Sequence, residues 1–230
     1  IESISKRISK IEKTVSSGNK EHKAEFDLLT ILLENLNKGI LIKNIELTED
    51  QKKLLKSISP LTSKPTLYVA NIKEDDLYDD DKNIYLQELK KWSEKNNEKV
   101  LSLCTKFEME IVDLSQEEKK EFLNSYSLDR TGLDRLTAAT FKLLGLETFF
   151  TAGEKEIKSW TVKKGSYAVD AAGEIHSDIQ RGFIKAEIYS LADLIEFQSE
   201  ENLKSNGKIR QEGKNYIVQD GDIIFFKFNV

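Results

Sequence analysis

The sequence predicts a multi-domain α+β protein built from three successive parts, and three observations lead to this prediction. Residues 1–58 repeat apolar side chains at helical spacing, residues 59–145 alternate short apolar runs with helical patterns, and residues 146–230 contain strand-like runs separated by glycines. We expect these parts to be an antiparallel helical hairpin (coiled coil), an α/β segment and a β-grasp (ubiquitin-like) module.

The composition limits the classes to which the chain can belong. It has 230 residues with a formal net charge of -5 and a single cysteine, Cys104. The acidic balance argues against binding that depends mainly on neutralising phosphates, although residues 1–58 are slightly basic. One thiol cannot form an intramolecular disulfide, no Cys/His cluster has metal-ligand spacing, and no apolar run reaches the roughly 20 residues of a membrane helix. These features predict a cytoplasmic protein without a metal site or membrane contact, and a start inside a helical pattern without methionine predicts a piece of a longer chain.

The hairpin prediction for residues 1–58 rests on two apolar seams. The first consists of Ile1, Ile4, Ile8, Ile11 and Val15, at spacings of three and four residues. After a turn at residues 16–19, the second consists of Phe26, Leu29, Leu33 and Leu36, with Leu28 and Leu32 beside it, and ends at Gly39. Two seams joined by a short turn predict antiparallel packing. The pair has two interpretations, a purely structural element or a projecting arm that contacts a partner.

Residues 59–145 predict a parallel pair of strands. Thr48-x-x-Gln51 is a capping box that opens a short helix just before this part, and Ser115-x-x-Glu118 is a second one within it. Apolar runs at 65–71 and 100–104 flank a helical pattern at 83–97. A strand–helix–strand unit of this length predicts parallel strands with a right-handed crossover. Because two strands do not make a stable α/β sheet, we expect them to be the end of a larger one.

Residues 146–230 predict strands at 148–151, 157–162, 182–189 and 216–230, with one helix at 190–203. Several strands around one helix are typical of a β-grasp module. Residues 171–176, Ala-Ala-Gly-Glu-Ile-His, are interpreted as a turn and strand in which His176 is satisfied by hydrogen bonding, with contact to a partner as the alternative.

The candidate ligand site lies where the two parallel strands end, since open α/β sheets bind ligands at the carboxyl ends of their strands. Asn71, Ile72 and Glu74 follow the first strand, and Thr105 and Lys106 follow the second. Thr105 has two interpretations, a residue that contacts the ligand or simply the end of a strand. Cys104 is interpreted as an inert buried thiol on its strand, with redox activity as the alternative.

The loop at 71–74 resembles the base-recognition loop Asn-Lys-x-Asp of P-loop GTPases, but with Ile72 and Glu74 at the Lys and Asp positions. In those GTPases the aspartate accepts two N–H bonds from guanine. Adenine presents a lone pair at N1, and a facing carboxylate would leave buried polar groups unpaired, at a cost of about 1–3 kcal/mol. The change from Asp to Glu therefore predicts loss of guanine recognition.

Asn-x-x-Glu at a strand end is similar to the YchF branch of the Obg-like P-loop ATPases. The landmarks at 144–156, 159–162, 171–178, 181–187, 212–216 and 220–222 together look like the TGS domain of that branch. The hairpin resembles its coiled-coil arm, and residues 59–145 resemble the closing part of its G domain. The resemblance implies a C-terminal fragment of a ribosome-associated ATPase, in which Asn71, Ile72, Glu74, Thr105 and Lys106 contact the nucleotide.

The phosphate-binding motif Gly-x-x-x-x-Gly-Lys-[Ser/Thr] does not occur in the sequence. We therefore expect ATP and Mg²⁺ to be bound by the complete protein, whose hydrolytic part would precede residue 1. The chain alone is expected to have no catalytic residues, no metal site, no bound nucleotide and no ATPase activity.

The alternative hypothesis is a non-enzymatic module that binds RNA or protein through the hairpin and the C-terminal part. Four lysines surround Trp160, as is typical of nucleic-acid surfaces: Lys155, Lys158, Lys163 and Lys164. A solvated strand face explains the same pattern. The sequence upstream of residue 1 would distinguish the two hypotheses.

Overall fold

Two compact units, Ile1–Thr66 and Leu67–Val230, make up the chain. They are seen in a computed structural model that describes residues 1–15, 20–78, 82–153 and 156–229. The helices are α1 Glu2–Val15, α2 Lys20–Asn37, α3 Glu49–Ile58, α4 Ile84–Asn96, α5 Thr105–Ile111, α6 Gln116–Ser125, α7 Gly132–Leu144, α8 Ala168–Ile175, α9 Ser177–Arg181, α10 Leu191–Phe197 and α11 Glu200–Ser205. The strands are β1 Leu67–Asn71, β2 Lys99–Leu103, β3 Leu146–Ala152, β4 Ile157–Lys163, β5 Phe183–Ser190, β6 Arg210–Glu212 and β7 Asp222–Phe228. The mixed α+β class predicted from the sequence is confirmed.

In the first unit, α1 and α2 pack against each other, as the two seams predict. Arg7 on α1 forms an ion pair with Glu25 on α2, and the predicted turn at 16–19 lies outside the described residues. The buried residues of this core are Ile4, Leu28, Leu29, Leu32 and Ile42. Leu28 and Leu32, which lie beside the predicted α2 seam, are fully buried together with Leu29 of the seam, so the core covers a wide face of α2.

The segment after α2 explains this wider core. Gly39 adopts a φ of +78° just beyond α2, in keeping with its predicted role at the helix end. The chain then packs Ile42 and three residues of α3 onto the same cluster, namely Leu54, Leu55 and Ile58. Thr48 and Gln51 begin α3 with the predicted capping box, in which each side chain accepts the backbone N–H of the other.

The second unit begins with β1 and β2, which pair in parallel from Leu67↔Lys99 to Asn71↔Leu103. The connecting helix α4 begins after Asn83, whose side chain accepts the N–H of Leu86, and ends at the left-handed residue Asn97. The predicted parallel strand–helix–strand unit is thus confirmed.

The remaining five strands form one sheet with the order β4-β3-β7-β5-β6. Strands β3 and β7 are parallel, and the other neighbouring pairs are antiparallel. Side chains alternate between the two faces of a strand. Ile188 and Ile224 accordingly join the core that also contains Ala168, Ala171 and Ala172 of α8, whereas Tyr189 and Ile223 join a separate cluster with Leu203 of α11.

The interpretation of residues 171–176 as a turn and strand is wrong. They belong to α8 and the residue that follows it. The small side chains of Ala168, Ala171 and Ala172 let this helix lie close to the sheet, and none of the three has any exposed area. His176 is the extended residue between α8 and α9, where its Nδ1 atom accepts the N–H of Asp178 at 3.1 Å. The prediction that hydrogen bonding satisfies His176 is therefore confirmed.

Three further details of this region differ from the sequence prediction. The single helix expected at 190–203 is divided into α10 and α11, because Gln198 has a φ of +62° and Ser199 caps α11. The final strand covers only Asp222–Phe228, since the residues before it form turns whose polar groups bond to the buried Asp222 carboxylate. The short strand β6 was not expected.

No helix within the described ranges is long and apolar enough to cross a lipid bilayer.

Candidate functional site

The parallel register of β1 and β2 places their carboxyl ends side by side. Asn71 ends β1 opposite Leu103, which ends β2, and the N–H of Ile72 donates to the carbonyl of Leu103 at 2.9 Å. Asn71 and Thr105 are thereby brought together, although they are 34 residues apart in sequence. Of the five predicted site residues, Asn71 is the last residue of β1, and the other four lie in the short segments that follow the two strand ends.

Asn71 connects the two segments directly. Its Oδ1 atom accepts the backbone N–H of Thr105 at 3.1 Å and the Thr105 hydroxyl at 3.0 Å. Thr105 is the first residue of α5, so the bond satisfies one of the N–H groups that have no partner within the helix. Asn71 therefore fixes the position of the second segment relative to the first.

Glu74 begins a short 3-10 helix, Glu74–Leu77, after a two-residue turn. Its Oε1 atom accepts the hydroxyl of Tyr126 at 2.5 Å, and its Oε2 atom lies 3.2 Å from the Lys106 ammonium group. The hydrogen bond from Tyr126, followed by that from Lys106, lowers the pKa of Glu74 below its ordinary value. The Glu74 carboxylate in turn raises the pKa of Lys106 and of Tyr126. Glu74 and Lys106 are therefore both charged at neutral pH.

These segments enclose an open cleft of about 440 Å³. Its lining contains every residue of the predicted site together with three others, and consists of Asn71, Ile72, Lys73, Glu74, Asp75, Cys104, Thr105 and Lys106. The rim combines two ammonium groups, two carboxylates, a hydroxyl and an amide. Such a set offers hydrogen-bond donors and acceptors to a flat polar ligand such as a nucleobase.

An apolar cluster supports the floor of the cleft. Cys104, Phe107, Ile111 and Leu123 are buried there, and Ile72 packs against them. Ile72 therefore contributes apolar contact rather than a charge at the position where the GTPase loop carries a lysine.

Cys104 lies just beyond β2 rather than on a strand, which corrects the position expected from the sequence. It precedes α5, and its Sγ atom accepts the N–H of Phe107 at 3.5 Å. The side chain is buried, with 3% of its area exposed. That this thiol is inert, with redox activity as the alternative, remains a prediction.

Tyr126 is the site residue that sequence reasoning missed. It follows α6 and is 52 residues from Glu74, and no spacing or motif connects the two. Its ring packs against Phe107 and stacks on Tyr78, with ring centroids 4.7 Å apart in both pairs. Only the folded arrangement brings its hydroxyl to the carboxylate.

Three of the four lysines near Trp160 in sequence, Lys158, Lys163 and Lys164, lie on or just beyond β4. Lys158 sits over the Trp160 ring at 4.1 Å, and the indole N–H donates to Thr151. Lys163 donates to the carbonyl of Leu144, Lys164 pairs with Glu147, and Lys155 lies outside the described residues. RNA contact through this surface remains a prediction.

Among the residues described, no group of three or more His, Cys, Asp or Glu side chains is arranged to hold a metal ion. The described cleft residues are connected by the hydrogen bonds that Asn71 and Glu74 accept and by the ion pair of Lys106 with Glu74. Together with the fold, this cleft defines a class: a mixed α+β protein with a small polar cleft at the end of parallel strands, followed by a separate five-stranded sheet.

Comparison with known proteins specifies this class further. The family profile YchF-GTPase_C, described as a protein of unknown function (DUF933), matches residues 146–229. The "Ribosome-binding ATPase YchF" of Bacillus subtilis is 43% identical over all 230 residues, and that of Escherichia coli O157:H7 is 38% identical. The solved structure of the Schizosaccharomyces pombe YchF GTPase superposes with a TM-score of 0.82 at 28% identity, covering 97% of this chain and 61% of that one.

The chain is therefore similar over its whole length to the YchF proteins. It spans 63% of the length of the B. subtilis relative and 62% of that of the E. coli relative. The resemblance inferred from Asn71, Glu74 and the C-terminal landmarks is thus confirmed at the level of the family.

Proposed function

We propose that this chain is the C-terminal part of a ribosome-associated, Obg-like ATPase and supplies the rim of the nucleotide site that contacts adenine. The observation that carries the proposal is the convergence of Asn71, Ile72, Glu74, Thr105 and Lys106 on one cleft at the ends of β1 and β2. Ligands of open α/β sheets bind at this edge.

The chemistry of the rim favours a base over a phosphate. The ammonium groups of Lys73 and Lys106 are balanced by the carboxylates of Glu74 and Asp75, and Lys106 is already paired with Glu74 at 3.2 Å. A phosphate site would instead carry an excess of positive charge or a ring of backbone N–H groups. A purine edge requires the mixture of donors and acceptors that this cleft offers.

Binding of ATP by the complete protein would need the phosphate-binding loop and Mg²⁺ ligands that this sequence does not contain. In this proposal the cleft residues supply base recognition, and residues outside the chain supply the phosphate contacts and hydrolysis. The two-stranded sheet of β1 and β2 is then the end of a larger G-domain sheet formed by residues 59–145 with the preceding part of the protein.

The other two parts of the chain would serve partner binding. The order β4-β3-β7-β5-β6, with β3 and β7 parallel, supports the interpretation of residues 146–230 as a β-grasp TGS domain. The first 58 residues correspond to the coiled-coil arm. Curated relatives bear the name ribosome-binding ATPase, and this supports the ribosome as a partner of the complete protein, with RNA contacts through the arm or the TGS domain.

The proposal is tested by competition binding with the full-length protein that contains this chain. We expect ATP to displace a fluorescent ATP analogue at a concentration at least tenfold lower than that at which GTP displaces it. The reason is that the Glu74 carboxylate is already bonded to Tyr126 and Lys106, so it does not accept the guanine N–H groups in the way that the aspartate of the GTPase loop does. Asn71→Ala should weaken ATP binding about tenfold by releasing Thr105 from its place at the rim. A preference for GTP, or unchanged ATP affinity in Asn71→Ala, would contradict the proposal.

A second measurement uses the 230-residue chain alone. We expect calorimetric titration with ATP to give no binding at micromolar concentrations, since phosphate contacts supply most of the affinity in sites of this kind. The full-length protein, titrated under the same conditions, is the control. Micromolar binding of ATP to the chain alone would contradict the division of the site that we propose.

A further inference from the structure

The structure assigns to Tyr126 the role of a positioning residue that sets base selectivity by holding the Glu74 carboxylate. This inference deepens the proposed function and rests on it. Its basis is the contact of the Tyr126 hydroxyl with Glu74 Oε1 at 2.5 Å, opposite the contact of Lys106 with Oε2 at 3.2 Å. Each oxygen of the carboxylate thus has its own partner on the protein.

Recognition of guanine by a carboxylate requires both oxygens. The N1–H and N2–H groups of guanine lie side by side, and the two carboxylate oxygens accept them as a matched pair. In this chain Tyr126 occupies one oxygen and Lys106 the other, so a guanine edge would have to displace a partner or share an oxygen in poorer geometry. Adenine has no such pair of donors and loses nothing by this arrangement.

Tyr126 is held firmly enough to perform this role. Helix α6 ends at Ser125, Tyr126 is the cap residue that follows it, and the next residue, Ser127, has a φ of +56°. The N–H groups of Tyr126 and Leu128 both donate to the carbonyl of Leu123, at 3.1 Å and 2.9 Å. This is the type of turn that closes a helix with few accessible conformations.

The ring of Tyr126 is fixed from two sides. Phe107 meets it edge-on and Tyr78 stacks on it, with centroid separations of 4.7 Å in each case and an interplanar angle of 26° for the stacked pair. Phe107 is fully buried, so its ring provides a rigid support. The hydroxyl of Tyr126 therefore has little freedom to leave Glu74.

Lys106 restrains the Glu74 carboxylate less than Tyr126 does. Its side chain is 72% exposed, against 30% for Glu74, and it is shared with Glu110 at 3.6 Å. An exposed ammonium group on a flexible chain exchanges readily with water and contributes little to fixing a geometry. The orientation of the carboxylate therefore depends mainly on Tyr126.

The test is the ratio of GTP to ATP dissociation constants in the full-length protein and its Tyr126→Phe variant. Phenylalanine keeps the ring contacts and removes only the hydroxyl. We expect this ratio to fall about tenfold, through tighter GTP binding with nearly unchanged ATP binding, since one charge-assisted hydrogen bond is removed. Tyr68→Phe is the matched control, because Tyr68 packs its ring on Trp92 and should leave the ratio unchanged.

A double-variant cycle shows whether Tyr126 acts through Glu74. Once Glu74→Ala has removed the carboxylate, adding Tyr126→Phe should not change the ratio further. Two results would overturn the inference. One is a ratio of GTP to ATP dissociation constants in Tyr126→Phe that equals the wild-type ratio, and the other is a change in this ratio on adding Tyr126→Phe to Glu74→Ala that is as large as the change in the wild-type background. In either case a wild-type preference for ATP would leave the proposed function intact, whereas a wild-type preference for GTP would remove both.

Discussion

The bond between Asn71 and Thr105 gives the most specific prediction for the chain itself. Asn71 Oδ1 accepts two hydrogen bonds, from the N–H and the hydroxyl of Thr105. A neutral hydrogen bond contributes about 0.5–1.5 kcal/mol to the free energy of unfolding, and both residues are exposed, so the lower half of that range applies. Asn71→Ala should therefore destabilise the second unit by roughly 1–2 kcal/mol.

Two further variants separate the contributions of the two hydrogen bonds to this loss of stability. Thr105→Val removes the hydroxyl and keeps the N–H, so it should cost about half as much, roughly 0.5–1 kcal/mol. Asn71→Asp keeps an oxygen that accepts both bonds, and at neutral pH its charge strengthens them. We expect its stability to equal or exceed that of the wild type.

The assay is urea denaturation followed by the fluorescence of Trp92. The chain has two tryptophans, and Trp160→Phe leaves Trp92 as the only one. The Trp92 ring packs against Tyr68 of β1, with centroids 5.0 Å apart, so its emission reports unfolding near the candidate site. Equal stability of Asn71→Ala and Asn71→Asp would refute the reasoning that this oxygen connects the two strand ends.

Three other substitutions, two of them compared with a control variant, test the support of the cleft and its charges. Phe107→Ala removes a fully buried ring and should lower the free energy of unfolding by about 3–5 kcal/mol, whereas Phe225→Ala, at a half-exposed ring, should cost about 1 kcal/mol or less in the same urea assay. Glu108 accepts the N–H groups of Gly132 and Leu133 at the start of α7, so Glu108→Ala should lower the free energy of unfolding by about 1–3 kcal/mol. Its control is Glu110→Ala, which removes an exposed ion pair and should leave the stability nearly unchanged. Because its contacts lower the pKa of Glu74 in the folded state, Glu74 should stabilise the fold above its ordinary pKa of 4.5 and lose this contribution as the pH falls through the lowered pKa. Glu74→Gln should therefore show a weaker loss of stability between neutral and acidic pH, and an unchanged pH profile would contradict the assigned contacts.

The parts of the fold that the sequence predicted correctly share a local signal. The capping boxes at Thr48 and Ser115 are set by neighbouring residues and are found where expected. The helical pattern at 83–97 corresponds to α4 with its two cap residues. The parallel pairing of β1 and β2 follows from the length of the helix between them. The candidate site was predicted from the resemblance of the loop at 71–74 to a base-recognition loop, and the parallel pairing explains why its residues meet at one edge of the sheet.

The missed features depend on contacts between distant segments. Tyr126 reaches Glu74 only because α6 ends against Phe107, and nothing near Tyr126 in the sequence indicates this. The interpretation of residues 171–176 was wrong because a short run of alanines and a glycine does not by itself distinguish a helix from a turn. The helix is evident only from the packing of its alanines in the core beneath the sheet. The break between α10 and α11 depends on a left-handed Gln198, which has no strong sequence preference for that conformation.

The central claim, that the ends of β1 and β2 form the base-recognising rim of an ATP site, is tested most directly by a crystal structure of the full-length protein with a non-hydrolysable ATP analogue. We expect the adenine ring in the cleft between residues 71–75 and 104–106, within hydrogen-bond distance of Asn71 or the backbone beside it, with Glu74 still bonded to Tyr126. An adenine ring bound elsewhere, with this cleft empty, would contradict the account.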